Sequence, residues 1–320
     1  MYLNTRSRAS SFIYQQAREH KGVWLIPDNI CHAVYVDIYM AGSTIELMDV
    51  DSETLGLNTD KVTDYLKRNE VAGIVLVRAF GSLKVNYESF FAFIKDHYPE
   101  VYIIDDRCLC FPQFNAPTET SADMILYSTG YSKVVDIGYG GYCFSKSKLE
   151  PVSMEFSESD EDKFDSFFKR SIQTGEPISE RSLKSICDLS WINHSQINTG
   201  QYFDELKEKF DMVKLQKAKL NEIYGTINKE MIVGSEFNDW RFNLLLSNRS
   251  GILKKIFDQG LFASHHYYPL GLFFNFQYQS TWNRLCGGIL NLFNDFRMTE
   301  EGAIRIVKII NENGEPFKYD

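Results

Sequence analysis

One segment of the chain holds the residues whose types and order could do chemistry. Lys133 follows the aspartates Asp105 and Asp106 and precedes the glycine pair Gly140-Gly141. A lysine that can reach a cofactor aldehyde forms a Schiff base with it. An aspartate at a strand end can keep a pyridine nitrogen protonated, which makes the ring an electron sink. This order therefore points to a site for pyridoxal phosphate.

Taken singly, each of these residues has a simpler interpretation. Asp106 could cap a helix or lie in a surface turn, and Lys133 could be a solvated lysine. Glycine pairs are common in turns. The set is informative because its members occur in this order at workable distances. Ser128 and Ser132 add hydroxyls for a phosphate, which backbone amides at a helix N-terminus also bind.

The elements that must position these residues follow from the pattern of the first half. Short apolar runs predict strands at 23–27, 44–50, 72–80, 101–104, 124–127 and 142–144, and helical patterns predict helices near 58–68 and 87–97. This alternation predicts an α/β fold, with a mostly parallel sheet flanked by helices. Ligands of such sheets bind beyond the carboxyl ends of the strands, where Asp106 and Ser128 fall.

The second half has a different character. Helices are predicted near 161–173, 179–192, 202–224, 252–259 and 300–311, with strands at 241–246 and 289–292. We therefore expect two domains, a cofactor-binding large domain over residues 1–200 and a smaller α+β domain over residues 201–320.

Composition narrows the class of protein. The chain has 320 residues, of which 44% are hydrophobic and 24% are charged, as in ordinary globular proteins. Its net charge of −9 argues against nucleic acid or an anionic membrane as the main partner. Six cysteines without a CxxC pair predict no metal site and suit a reducing compartment. No apolar run approaches the ~20 residues that a membrane span needs, so we expect a cytoplasmic protein.

The lysine segment resembles the DegT/DnrJ-type sugar aminotransferases, a pyridoxal phosphate-dependent family of the aspartate aminotransferase fold (type I). That family has an acidic dipeptide at a strand end, then Ser-x-x-x-x-Lys, then a glycine pair. Here these are Asp105-Asp106, Ser128 to Lys133, and Gly140-Gly141. Weaker matches are Pro27, Gly42, Asp49-Val50-Asp51, Gly81, Tyr267-Tyr268-Pro269-Leu270 and Ile289-Leu290-Asn291-Leu292. The likeness covers about residues 1–150 and 260–312.

The resemblance implies a role for each matching residue. Lys133 would bind the cofactor covalently and shuttle the proton, Asp106 would pair with the pyridine nitrogen, and Ser128 would contact the phosphate. Related dehydratases carry histidine at the lysine position, so lysine favours transamination. The reaction implied moves an amino group from glutamate to a nucleotide-linked keto-sugar, for a polysaccharide or a glycosylated metabolite. The family also implies a homodimer.

The chain departs from the family at the phosphate turn and the stacking position. The family's N-terminal arm has no counterpart, and its Ser-Gly-Thr turn corresponds only to the segment from Thr5 to Arg8. We expect Thr5 and Ser7 to bind the phosphate. The stacking aromatic falls at Cys31-His32, so both residues are expected to contact the cofactor, and His32 is expected to replace the aromatic ring.

These departures leave two alternatives open. One is a shortened, non-catalytic homologue that binds a sugar nucleotide or a partner protein, and cofactor binding would distinguish it. The other is an aminotransferase for an amino acid or another small amine, which a substrate screen would reveal. An anionic substrate requires that Arg6, Arg8, Arg78 or Arg107 lie in the cleft. His265-His266 could line the substrate entrance or cap a strand.

Overall fold

The computed structural model describes residues 1–150, 158–185, 197–274, 276 and 280–318. Within this part of the chain, the larger sheet has seven strands, in the spatial order β1-β7-β6-β5-β4-β2-β3. The strands are β1 (Tyr2–Arg6), β2 (Val23–Pro27), β3 (Thr44–Met48), β4 (Gly73–Val77), β5 (Tyr102–Asp106), β6 (Met124–Ser128) and β7 (Gly141–Ser145). Strands β3, β2, β4, β5 and β6 are mutually parallel, whereas β7 and β1 add antiparallel neighbours. The predicted mostly parallel sheet is confirmed.

Helices cover both faces of this sheet. They are α1 (Ser10–Glu19), α2 (His32–Met40), α3 (Thr59–Leu66) and α4 (Glu88–His97). Phe12 of α1 and Val36 of α2 pack in one core cluster, whereas Val62 of α3 and Phe91 of α4 pack in another. Alternate residues of β2, β4 and β5 enter the two clusters, which is why β4 is apolar at every position.

The N-terminal elements were missed by the sequence analysis. Strand β1 is polar at several positions, and pairing with β7 rather than its own pattern fixes it as a strand. Helix α2 is mostly apolar, so it shows little of the amphipathic periodicity that predicts a helix. These two elements position the start of α1 and the residues Cys31 and His32.

The second half builds a smaller sheet. Its strands are β8 (Phe242–Leu245), β9 (Ala263–Ser264) and β10 (Ile289–Leu292), in the order β8-β10-β9. The helices that follow α4 are α5 (Glu158–Thr174), α6 (Glu180–Ser185), α7 (Thr199–Tyr224), α8 (Arg249–Asp258), α9 (Leu270–Phe273), α10 (Thr281–Leu285) and α11 (Glu300–Asn313). The rest of the helix predicted near 179–192 lies outside the described residues.

Helix α7 joins the two sheets. Its first turns pack Phe203 and Leu206 against the larger sheet, and its last turns pack Leu220 and Tyr224 with the smaller one. It begins at Thr199, so the predicted boundary between residues 1–200 and 201–320 falls at its start. That division into domains stays a prediction.

Carboxylates at two strand ends anchor the C-terminal segment. Asp28, just after β2, accepts hydrogen bonds from Gly271 N at 2.8 Å and Ser280 Oγ at 2.6 Å. Asp49, just after β3, accepts from Thr281 N at 2.8 Å and Thr281 Oγ1 at 3.0 Å. These bonds hold the segment near the carboxyl ends of the parallel strands. No helix of the described residues has the length and apolarity that a membrane crossing requires.

Candidate functional site

A cavity of about 220 Å³ lies at the carboxyl ends of β5 and β6. It is bounded by these strand ends, the starts of α1 and α2, and the loop that follows β6. We call it the strand-end pocket. Five of the seven residues predicted for the site line it: Cys31, His32, Asp106, Ser128 and Lys133. The topology therefore gathers residues that are far apart in sequence, as the parallel sheet predicts.

Asp106 is the last residue of β5 and is buried. Its Oδ1 accepts a hydrogen bond from Cys108 N at 2.8 Å. Burial raises the pKa of the Asp106 carboxyl, and the positive charge of Lys133 opposes that rise. A second cation beside this carboxylate would further favour its ionised form. Asp106 is thus suited to hold a protonated ring nitrogen.

Asp105 has a different role from its neighbour. Its carboxylate is fully buried and accepts from Arg78 Nε at 2.7 Å and from Arg107 Nε at 2.8 Å. A second bond from Arg78 Nη2, at 2.9 Å, makes that pair bidentate. Asp105 is therefore satisfied by two arginines and does not line the strand-end pocket.

Lys133 lies on a loop that several hydrogen bonds hold in place. The backbone N–H of Lys133 donates to Gly130 O at 3.2 Å, and Ser132 N donates to Asp136 Oδ2 at 2.8 Å. Trp240 Nε1 donates to Ser132 O at 2.6 Å. These bonds hold Ser132 at a φ of 62°, a left-handed conformation that costs about 1–3 kcal/mol outside glycine. These hydrogen bonds fix the backbone of the loop, so that Lys133 lines the strand-end pocket.

The glycine pair allows two close approaches around the pocket. A Cβ on Gly140 would lie 2.3 Å from Cε2 of Tyr202, and its φ of +91° also favours glycine. A Cβ on Gly141 would lie 2.6 Å from the backbone N and Cα of Ala9. Gly141 pairs with Ser128 across β6 and β7. Glycine here lets the start of α1 pack against the sheet beside Ser128.

His32 begins α2 and contributes its ring to the pocket. The ring stacks on Phe168, with centroids 3.8 Å apart and planes 19° apart. Burial lowers the pKa of His32 to about 3, so the ring is neutral at physiological pH. A neutral aromatic ring in this position is compatible with stacking on a cofactor. That role stays a prediction.

Thr5 and Ser7 do not line the strand-end pocket. Thr5 belongs to β1 and is buried, and its hydroxyl lies 2.7 Å from the hydroxyl of Thr199. Ser7 accepts from Gly140 N at 2.7 Å through its carbonyl oxygen. Because α1 begins at Ser10, the next residues along the chain reach the pocket instead, namely Arg8, Ala9 and Ser10. The sequence analysis did not predict where α1 begins, and it therefore did not identify these pocket residues.

Of the four arginines considered for the cleft, Arg8 lines the pocket. Arg78 and Arg107 pair with Asp105. Arg6 is buried against Phe12, with its guanidinium carbon 4.5 Å from the ring centroid, and donates to Ser11 O at 3.0 Å.

A second cavity of about 340 Å³ adjoins the strand-end pocket. His32 belongs to the lining of both, and His265 and His266 line the second cavity together with Tyr268 and Phe273. Burial lowers the pKa of both His265 and His266, so they too are neutral. The sequence analysis left open whether His265 and His266 line the substrate entrance or cap a strand. The structure places them beside the strand-end pocket.

Comparison with known sequences finds no matching family model and no matching curated protein. Comparison with solved structures finds proteins that share the fold of this chain. A DegT DnrJ EryC1 StrS aminotransferase from Brucella abortus matches at a TM-score of 0.68 and 16% identity, covering 98% of this chain and 86% of that one. The Helicobacter pylori aminotransferase PseC, involved in pseudoaminic acid biosynthesis, matches at 0.68 and 14%, covering 98% and 86%.

DesI, solved in the presence of its TDP-sugar product, matches at a TM-score of 0.69 and 12% identity, covering 98% of this chain and 80% of that one. Structural neighbours of this chain are thus pyridoxal phosphate-dependent sugar aminotransferases of the DegT/DnrJ type. At these identities the likeness confirms the fold that the lysine segment predicted.

Proposed function

We propose that this chain is a pyridoxal phosphate-dependent aminotransferase that acts on a sugar. One observation carries the proposal. Lys133, Asp106 and Ser128 line one pocket at the carboxyl ends of two parallel strands, in a chain with the fold of these enzymes. A non-catalytic homologue would have no need of a lysine and a buried carboxylate in the same pocket.

The residues that line the pocket fit the cofactor, and each would have a separate role in the reaction. Bound pyridoxal phosphate supplies an aldehyde and a ring that accepts electrons from the substrate carbon. Lys133 would hold the aldehyde carbon and would then move the proton to and from the substrate. Asp106 would keep the ring nitrogen protonated, and its burial would strengthen that interaction. Ser128 would contact the phosphate, and His32 would orient the ring.

For the reactants, we propose glutamate as amino donor and a nucleotide-linked keto-sugar as acceptor. The donor leaves as its keto acid, and its amino group ends on the carbon that carried the ketone. The support is the order of the lysine segment together with the fold of DesI, whose structure was solved with a TDP-sugar. A place in polysaccharide or glycosylated metabolite biosynthesis would follow.

A half-reaction assay tests the donor separately from the acceptor. The purified protein loaded with pyridoxal phosphate is mixed with each of a panel of amino acids, and release of the keto acid is followed. We expect 2-oxoglutarate from glutamate and pyridoxamine phosphate in equal amount. Release from another amino acid, with none from glutamate, would contradict this choice of donor. The pyridoxamine form is then offered TDP- and UDP-linked keto-sugars.

We also propose a cytoplasmic homodimer. The five cysteines that the structure describes are free thiols, which suits a reducing compartment. Light scattering on the eluted protein should give about twice the 37.1 kDa of one chain. A mass of one chain at micromolar concentration would contradict the dimer.

A further inference from the structure

We propose that Arg241 binds a carboxylate of the amino donor at the end of the second cavity that Ser264 lines. This inference rests on the proposed function, because the donor is a substrate of that aminotransferase. It goes further by assigning recognition of the donor to a residue that immediately precedes β8, in the second half of the chain.

Arg241 is a buried cation whose side chain is only partly bonded. It is 3% exposed, and its Nε makes no hydrogen bond to any residue that the structure describes. Its Nη1 donates to Ser264 Oγ. The guanidinium carbon lies 4.3 Å from the ring centroid of Trp240 and 4.1 Å from that of Phe293. Burial lowers the pKa of Arg241 to about 10, so the group is charged at neutral pH.

The carboxylate whose charge reaches Arg241 is already paired with another residue. The negative charge of Asp295 raises the pKa of Arg241, but Asp295 Oδ1 accepts from Arg297 N at 3.0 Å and Oδ2 accepts from Arg297 Nη1 at 2.7 Å. Arg241 itself takes part in no ion pair with a described residue. Burying an unpaired charge costs free energy. An anionic substrate would supply the missing counter-ion.

Arg241 lies within electrostatic reach of both cavities. Ser264 and Tyr267 line the second cavity, and Tyr131 lines the strand-end pocket. Negative charge on either tyrosine would raise the pKa of Arg241, which places both phenol groups near the guanidinium. The indole N–H of the preceding residue donates to the carbonyl next to Lys133, at 2.6 Å. The cation is thus held beside the loop that carries the lysine.

The second cavity offers a carboxylate no other cation. Its described lining includes no lysine or arginine, and burial lowers the pKa of each of its three histidines, which are therefore neutral. The rest of the lining is mainly apolar, which suits the methylene groups of glutamate. A carboxylate here would accept from the hydroxyl of Ser264 and would pair with the guanidinium of Arg241.

The test compares donors that differ in their carboxylates. The half-reaction with glutamate is followed by stopped-flow absorbance in the wild type, Arg241→Lys, Arg241→Met and Arg305→Met. Glutamine and isoglutamine, each lacking one carboxylate of glutamate, are used as donors or as competitors of glutamate. Arg305 is exposed on α11, so Arg305→Met makes the same charge change away from both cavities.

Two further measurements do not depend on the reaction. Calorimetric titration gives the affinity for glutarate, a dicarboxylate that has no amine. Thermal unfolding without ligand gives the stability of each variant. We expect the unfolding midpoint of Arg241→Met to equal or exceed that of the wild type, because methionine keeps the contacts with the two rings and removes an unpaired buried charge. A residue with a merely structural role would lower the midpoint.

We expect Arg241→Met to raise the half-saturating concentration of glutamate by about tenfold or more, with a change of less than about twofold in the maximal rate of the half-reaction. Arg241→Lys should keep part of the affinity, because it keeps the charge but not the planar fork. Glutarate binding should weaken in parallel. The effect should disappear for one of the two amides, which identifies the carboxylate. Arg305→Met should behave as the wild type.

Several outcomes would overturn the assignment. A lowered unfolding midpoint with equal weakening for glutamate and both amides would make Arg241 structural. An unchanged half-saturating concentration of glutamate, with a raised KM for the acceptor, would move Arg241 to the acceptor's phosphates. Failure of the proposed function would look different, because the wild type itself would show no half-reaction with any donor. Glutarate binding that requires Arg241 would still report the carboxylate site in that case, and its absence would contradict the site.

Discussion

At the scale of single residues, Asp105 and Asp106 are neighbours in sequence with opposite surroundings. Asp105 is fully buried between two arginines, whereas Asp106 lines the pocket and accepts one backbone hydrogen bond. The sequence predicted an acidic pair at a strand end and favoured Asp106. Alternation of side chains along β5 places the two on opposite faces, and the packed arginines then decide which carboxylate is structural.

The two carboxylates should therefore respond differently to the same change. Asp105→Asn should lower the free energy of unfolding by about 3–5 kcal/mol, because it leaves two arginines without their buried anion. Asp106→Asn should change stability by about 1 kcal/mol or less. It should slow the glutamate half-reaction by on the order of 100-fold, because the ring nitrogen loses its anionic partner. Urea unfolding and stopped-flow absorbance measure these effects. If Asp106→Asn slowed the half-reaction but also lowered the free energy of unfolding by several kcal/mol, Asp106 would have a structural role instead.

At the scale of elements, the strand-end pocket depends on how closely α1 approaches the sheet. The sequence predicted the lysine segment, the acidic pair and strand β6, because each of them lies within one local pattern. The start of α1 was not, because its placement depends on β1 pairing with β7 and on Gly141 facing Ala9. Thr5 and Ser7 were assigned to the phosphate from the resemblance alone. Neither residue lines the strand-end pocket, and the hydroxyl of Thr5 lies against that of Thr199.

The substitution Gly141→Ala directly tests whether the close packing of α1 on the sheet shapes the pocket. The new Cβ would lie 2.6 Å from the backbone of Ala9, so the start of α1 has to shift. We expect a loss of about 1–3 kcal/mol in the free energy of unfolding and weaker binding of pyridoxal phosphate. Gly251→Ala is the matched control, since its Cβ meets nothing within 4 Å and it lies in helix α8. That control should be neutral or slightly stabilising. Unchanged cofactor affinity in Gly141→Ala would show that α1 does not shape the site.

At the scale of the whole molecule, helix α7 connects the two sheets through a buried lysine. Lys217 Nζ donates to Trp240 O at 2.8 Å and to Asn294 Oδ1 at 2.7 Å. Trp240 in turn donates to the carbonyl beside Lys133. The helix itself was predictable from its apolar period, but the partners of Lys217 were not, because they come from distant segments. The mostly parallel type of the sheet followed from local patterns, whereas the strand order and the contacts across the molecule did not.

The buried lysine predicts a pH dependence of stability. Burial lowers the pKa of Lys217 to about 7, below the value of about 10.4 for an unfolded chain. Between these values the unfolded state binds one more proton, so the contribution of Lys217 to stability rises with pH. Its slope is about 1.4 kcal/mol per pH unit.

Urea unfolding at pH 7.5 and 9.0 measures this slope. The free energy of unfolding of the wild type relative to Lys217→Met should rise by about 2 kcal/mol between the two pH values. Lys214→Met, on the exposed side of the same helix, should show no such change. A difference between wild type and Lys217→Met that does not vary with pH would contradict the lowered pKa.

The claim that Lys133 and Asp106 form a pyridoxal phosphate site is tested most directly by the visible absorption spectrum. The purified protein is titrated with pyridoxal phosphate before and after addition of L-glutamate, beside Lys133→Ala. We predict a visible band that requires Lys133 and that is lost with glutamate as pyridoxamine phosphate forms. A spectrum that is the same in the wild type and in Lys133→Ala would contradict the site, and the chain would then be a binding homologue rather than an aminotransferase.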